Sequence, residues 1–167
     1  MSKLNNKTAF IFMTAALIVL IVIGTVLSRP DYTPAEKYMK KYFPDMKCET
    51  MDLIDSSDYN DYRLEIYGFN GMQGNIIGFL LQKNDEGEFE IIEASSLING
   101  FESHYIFTNY DDIANRTIVC IIADESVNRV EISASGKSDT FDLDKGRLGG
   151  YIFEVHNSAM SFRFYDE

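Results

Sequence analysis

Residues 9–27 read AFIFMTAALIVLIVIGTVL and lie inside an uncharged run bounded by Lys7 and Arg29. At ~1.5 Å rise per residue, a helix of this length covers ~30 Å, the thickness of a bilayer's hydrocarbon core. Twelve of its residues are Leu, Ile, Val or Phe. At up to about −0.5 kcal/mol each near the bilayer centre, they favour insertion by several kcal/mol, with no charge to oppose them. The run predicts a transmembrane anchor over residues 1–28, with the lipid bilayer as partner through residues 9–27. A cleaved signal peptide fits less well, because it needs an apolar core of only ~7–15 residues and an A-x-A-like site. Here the run is longer, Val26-Leu27-Ser28 is not A-x-A, and no Cys follows to take a lipid.

Lys3 and Lys7 precede the run, whereas Arg29, Lys37, Lys40, Lys41 and Lys47 follow it. A simple count of cations would place the following region inside. Large domains translocate largely regardless of charge, however, so the expectation is a single-pass cell-membrane protein with its C-terminal domain outside the cytoplasm. A type IV pilin-like reading fails, since the run has no Glu, its only Gly is Gly24, and Pro30 stops the helix.

All 26 Asp and Glu lie beyond residue 28, against 13 Lys and Arg there. Such a surface repels nucleic acid and anionic lipid surfaces alike, and nucleic acid is excluded as a partner. Residues 29–167 suffice for one domain with a real core. Cys48 and Cys120 leave two readings open. Bridged, they would close a loop of about 70 residues, worth about 4 kcal/mol on the chain-entropy model. Unpaired, they would be small buried apolar groups, the preferred reading, because a lone pair does not define a disulfide framework.

Two segments follow the anchor: a linker with a short amphipathic helix over 29–46, and a β domain over 47–167. Thr33-Pro34-Ala35-Glu36 starts the helix, with Thr as N-cap, Pro at the first position and Glu three residues after the cap. Tyr38, Met39, Tyr42 and Phe43 form its apolar stripe, which suits capping a sheet better than resting on lipid. From Lys47 the apolar period becomes two. Strands are predicted at Cys48–Ile54 and Tyr62–Phe69 around a polar turn Asp55–Asp61, and a hairpin joins Asn75–Lys83 to Glu88–Ala94 across Asn84-Asp85-Glu86-Gly87. Thr117–Ala123 is a continuous apolar run suited to a central strand. Arg129–Ala134, Asp139–Leu143, Tyr151–Val155 and Ala159–Tyr165 alternate. About nine strands imply a mainly β fold, an antiparallel β-sandwich or barrel-like domain. Residues 95–116 stand out as a long connection: His104–Thr108 suits a short strand, and Phe101, Tyr105, Phe107 and Tyr110 are the candidate partner-binding surface, although aromatics in a β domain are more often core.

No catalytic, cofactor or metal site emerges. The chain lacks GxSxG, a Walker loop, HExxH and GxGxxG, and its only histidines are His104 and His156. Gly146-Arg147-Leu148-Gly149-Gly150 joins two predicted strands and reads as a hairpin loop. The acidic stretches Asp55–Asp61, Asp111-Asp112 and Asp142-Leu143-Asp144 lack the glycine and closing Glu of an EF-hand. Asn115-Arg116-Thr117 fits a glycosylation sequon, which matters only in a glycosylating secretory pathway.

From Glu125 onward, ESVNRVEISASGKSDTFDLDKGRLGGYIFEV and SFRFYDE place a V-x-I strand, a Gly turn, an aromatic strand and a closing FYD strand in order. This pattern resembles the C-terminal part of small single-pass membrane proteins of Gram-positive bacteria with an extracytoplasmic β domain. The resemblance covers about a quarter of the chain, implies the anchored β arrangement and brings no catalytic residues. The functional expectation is a non-enzymatic binding or envelope-associated module, with an envelope or membrane protein as partner. The alternative is a sensor of Ca²⁺ or another ligand using the acidic turns.

Overall fold

A strand buried on one face alternates, but Thr117–Ala123 is buried at every position. Such a strand must lie in a sheet covered on both sides. The computed structural model meets that requirement. It describes residues 32–45, 51–69, 75–98, 100–101, 103–143, 146–156 and 159–166. The chain divides into the units Met1–Thr33 and Pro34–Glu167, and the second is described below. Residues 9–27 and Cys48 lie outside the described residues. Among the described residues no helix is long and apolar enough to cross a membrane.

Among the described residues one helix, α1 (Pro34–Tyr42), precedes ten strands: β1 (Met51–Tyr59), β2 (Tyr62–Phe69), β3 (Ile76–Lys83), β4 (Phe89–Ala94), β5 (His104–Asp111), β6 (Arg116–Ala123), β7 (Val127–Ala134), β8 (Lys137–Asp142), β9 (Gly149–Val155) and β10 (Met160–Asp166). They form three antiparallel sheets: a front sheet ordered β1-β2-β3-β4, a middle sheet β5-β6-β9 and a back sheet β10-β7-β8. Alternate residues on β2, β3, β6 and β9 build one core between front and middle sheets, from Leu64, Ile66 and Leu80 to Ile118, Cys120 and Ile122. The opposite face of β6 sends Val119 and Ile121 into a second core, with Val130, Ile132 and Leu143 of the back sheet. A third cluster lies on the outer face of the front sheet, where Ile77, Phe79 and Leu81 meet Ala35 and Met39 of α1. The mainly β, antiparallel expectation therefore holds, with three stacked sheets in place of a single sandwich.

The helix stripe is spent on this third cluster: Ala35 and Met39 are fully buried, and Tyr38 and Phe43 pack against it. Tyr42, expected on the stripe, is half-exposed and stacks at an angle on Tyr38.

The polar stretch Asp55–Asp61 is not a turn. Strand β1 continues to Tyr59, and only Asn60 and Asp61 turn the chain, with Asn60 at φ 53°. Its polar residues are tolerated because β1 is an edge strand and alternate side chains face solvent. The inward Asp55 is 7 % exposed and accepts hydrogen bonds from the Gly150 amide (2.8 Å) and the Arg147 guanidinium (3.0 Å). Ser57 Oγ donates to the Gly150 carbonyl at 2.7 Å. These bonds fasten β1 to β9 across two sheets. For the same reason Gly146–Gly150 is not a hairpin loop: β8 belongs to the back sheet and β9 to the middle one, so the segment crosses between layers. The long connection 95–116 holds an isolated bridge, Ile98 to Ile76, and the whole of β5. The Asn84–Gly87 turn stands as expected, with Asn84 Oδ1 accepting the amides of Glu86 and Glu88 and Gly87 at φ 82°.

Cys120 is a free, fully buried thiol whose pKa is pushed far up by burial. The folded state keeps this proton where the unfolded thiol, near pKa ~8.5, releases it. Each pH unit above that value therefore removes about 1.4 kcal/mol of stability. Cys120→Val abolishes this slope, and urea melts of both proteins between pH 8 and 10 (roughly the window set by the unfolded thiol) check it. Parallel pH profiles would contradict the placement.

Candidate functional site

The strand ladders gather several turns at one end of the domain. The β1–β2 pairing closes at Tyr59 and Tyr62, β2–β3 runs to Tyr62 and Gln82, β5–β6 closes at Asp111 and Arg116, and β6–β9 runs to Thr117 and Val155. Arg116 ties these ends together. Its guanidinium donates to Tyr62 Oη at 3.1 Å and to Asp111 Oδ2 at 3.3 Å, and lies 3.7 Å from Glu154 Oε2. Gln82 Nε2 also reaches Tyr62 Oη, at 3.5 Å. Glu154 in turn lies 3.7 Å from the exposed His156. Burial raises the Tyr62 pKa, with Arg116 opposing that rise, so the phenol stays protonated and keeps its part in the network.

Above this network stands the β5–β6 hairpin tip, Asp112–Asn115. Asp111 Oδ1 accepts the Ala114 amide at 3.1 Å, and this bond, assisted by Arg116, holds the Asp111 carboxyl below its usual range. Asn115 takes φ 50° and its Oδ1 accepts the Tyr110 hydroxyl at 3.2 Å. Both ends of the tip are thus fixed by side chains. The tip presents Ile113, which is 95 % exposed, beside Tyr110, 47 % exposed. Tyr59 shows 37 % of its surface at the same end. Single exposed apolar residues are ordinary, but an isoleucine held outward on a braced two-strand tip is a ready contact for another surface.

Of the four aromatic candidates, only Tyr110 lies in this group. Phe101, Tyr105 and Phe107 are half-buried and pack against the core between front and middle sheets. The β5 alternation separates them: Tyr105 and Phe107 point to the front sheet, and Ile106 points to the back sheet. Ile113 and Tyr59 were not among the candidates. The signal for Ile113 was an isolated apolar residue inside the polar run Asp111-Asp112-Ile113-Ala114-Asn115-Arg116.

A cavity of about 370 Å³ opens at the same end, lined by Ile132, Phe141 and Val155 and by Lys137, Asp139, Glu154 and His156. His104, the other histidine, stacks on Phe164 with ring centres 3.7 Å apart and meets Ser103 Oγ at 3.0 Å. Among the described residues no group of three or more His, Cys, Asp or Glu is placed to hold a metal ion. Asp55 and Asp58, from the acidic stretch, are engaged by Arg147 and by both ends of the Arg63 fork. No family model matches the chain, and no curated protein or solved structure matches it either.

Proposed function

We propose that this chain is a membrane-anchored β domain displayed outside the cytoplasm, which binds a protein or envelope component without catalysis. The anchor reading rests on the uncharged run over residues 9–27. The binding reading rests on one observation: the braced β5–β6 tip that holds Ile113 and Tyr110 outward. A rigid apolar anchor loses little conformational freedom on binding, which is what makes such a residue an effective contact. The resemblance of the C-terminal strands to small single-pass proteins agrees with this placement.

A photo-crosslinking residue at position 113 in intact cells is expected to capture a discrete partner, and Ile113→Asp to abolish that association while leaving the melting midpoint within about 2 °C, as a surface change should. Equal capture from Glu125, a turn residue outside this end, would defeat the assignment. A Ca²⁺-sensing role draws less support, because Asp55, Asp58 and Asp111 already accept bonds from their own chain. Millimolar Ca²⁺ should leave the thermal midpoint unchanged, since only a ligand that binds the native state raises it.

A further inference from the structure

We infer that the lysine face of α1 docks on anionic lipid headgroups and sets the orientation of the β domain over the membrane, an inference that rests on the anchored reading above. Ala35 and Met39 are fully buried against the front sheet, so the opposite face of the helix is turned outward. Lys37, Lys40 and Lys41 occupy that face and are exposed. At ~100° per residue they span a single arc of about 100°. They contrast with their surroundings: beyond residue 28 the chain carries twice as many Asp and Glu as Lys and Arg. An acidic domain is repelled by an anionic surface, and a lysine patch offsets that repulsion locally, so charge favours the orientation that turns the patch to the lipid.

Chain length keeps the patch within reach. Only residues 28–33 separate the apolar run from Pro34, and at no more than ~3.5 Å each they span at most about 21 Å. A tether this short holds the lysines at high effective concentration near the headgroups, so three cations suffice where a free domain would need more. Tyr42, half-exposed next to Lys41 with the ammonium 4.9 Å from its ring centre, adds an amphipathic side chain of the kind found at membrane interfaces.

The chain has no Trp, so Tyr42→Trp in the full-length protein supplies a single indole reporter. The protein is reconstituted into vesicles of brominated phosphatidylcholine, alone or mixed with brominated phosphatidylglycerol. The expected result is indole quenching several-fold stronger in the anionic vesicles, reduced by salt, and lost when Lys37→Gln, Lys40→Gln and Lys41→Gln are added. Equal quenching in both vesicle types, or none, overturns the inference if the chain remains with the vesicles through an alkaline carbonate wash. Loss of the chain in that wash removes the anchored reading and this inference with it. Circular dichroism of the triple variant confirms that the fold is kept.

Discussion

Phe79→Ala is expected to lower stability by about 3–5 kcal/mol, the range for truncating a fully buried aromatic side chain. Phe79 sits on β3 facing α1, and its ring meets Tyr38 and Tyr67 edge-on with centres 5.3 and 5.9 Å apart. Deleting it leaves a void between helix and sheet that neither side can fill. A helix of nine residues has too few internal bonds to persist without its docking surface, so α1 is expected to come loose at lower denaturant than the rest. Urea melts followed by far-UV signal, together with hydrogen exchange of the α1 amides, check both parts. A loss under about 1 kcal/mol would mean that Phe79 is not the packing link between the helix and the front sheet.

Gly150→Val is expected to cost about 3 kcal/mol by a different route. A Cβ at Gly150 would stand 2.7 Å from Leu64 Cδ2 and 3.0 Å from Ile66 Cδ1. Both partners are fully buried in the core between front and middle sheets, so neither can swing away. The same close approach lets Asp55 accept the Gly150 amide and Ser57 donate to its carbonyl. A larger side chain pushes the sheets apart and breaks both bonds, leaving a buried carboxylate and amide short of partners. Asp55→Asn in the Gly150→Val background should then cost less than it does alone, because one of its two bonds, that to the Gly150 amide, is already gone and only the Arg147 pair is left to lose. Fully additive losses would contradict this coupling.

These two sites also show where the sequence was legible and where it was not. The nearly continuous apolar run Thr117–Ala123 suggested a central strand, and β6 lies between β5 and β9 in the middle sheet. The Asn84–Gly87 turn was readable because Asn and Gly at those positions have a local mechanism that needs no tertiary contact. Asp55 was misread as turn chemistry because its partners, Gly150 and Arg147, are about 90 residues away in sequence. The crossing at Gly146–Gly150 was hidden for a related reason: alternation tells which residues face a core, but not which of two cores they face. Phe101, Tyr105 and Phe107 could not be separated from Tyr110 by composition, since the strand phase of β5 decides which ring meets the front sheet. Ile113 was missed, since one branched apolar residue in a polar stretch does not tell whether it faces in or out, and its bracing by Asp111 and Asn115 was not legible either.

The proposed function requires that residues 9–27 lie in lipid and that the β domain be displayed outside the cytoplasm. Fractionation of cells producing the full-length chain, with a C-terminal tag and external protease added to intact cells, tests it directly. The account predicts a product retained in membranes after an alkaline carbonate wash, with its tag removed by protease from outside. A tagged, full-length protein in the soluble cytosolic fraction, protected until the cells are lysed, would contradict it.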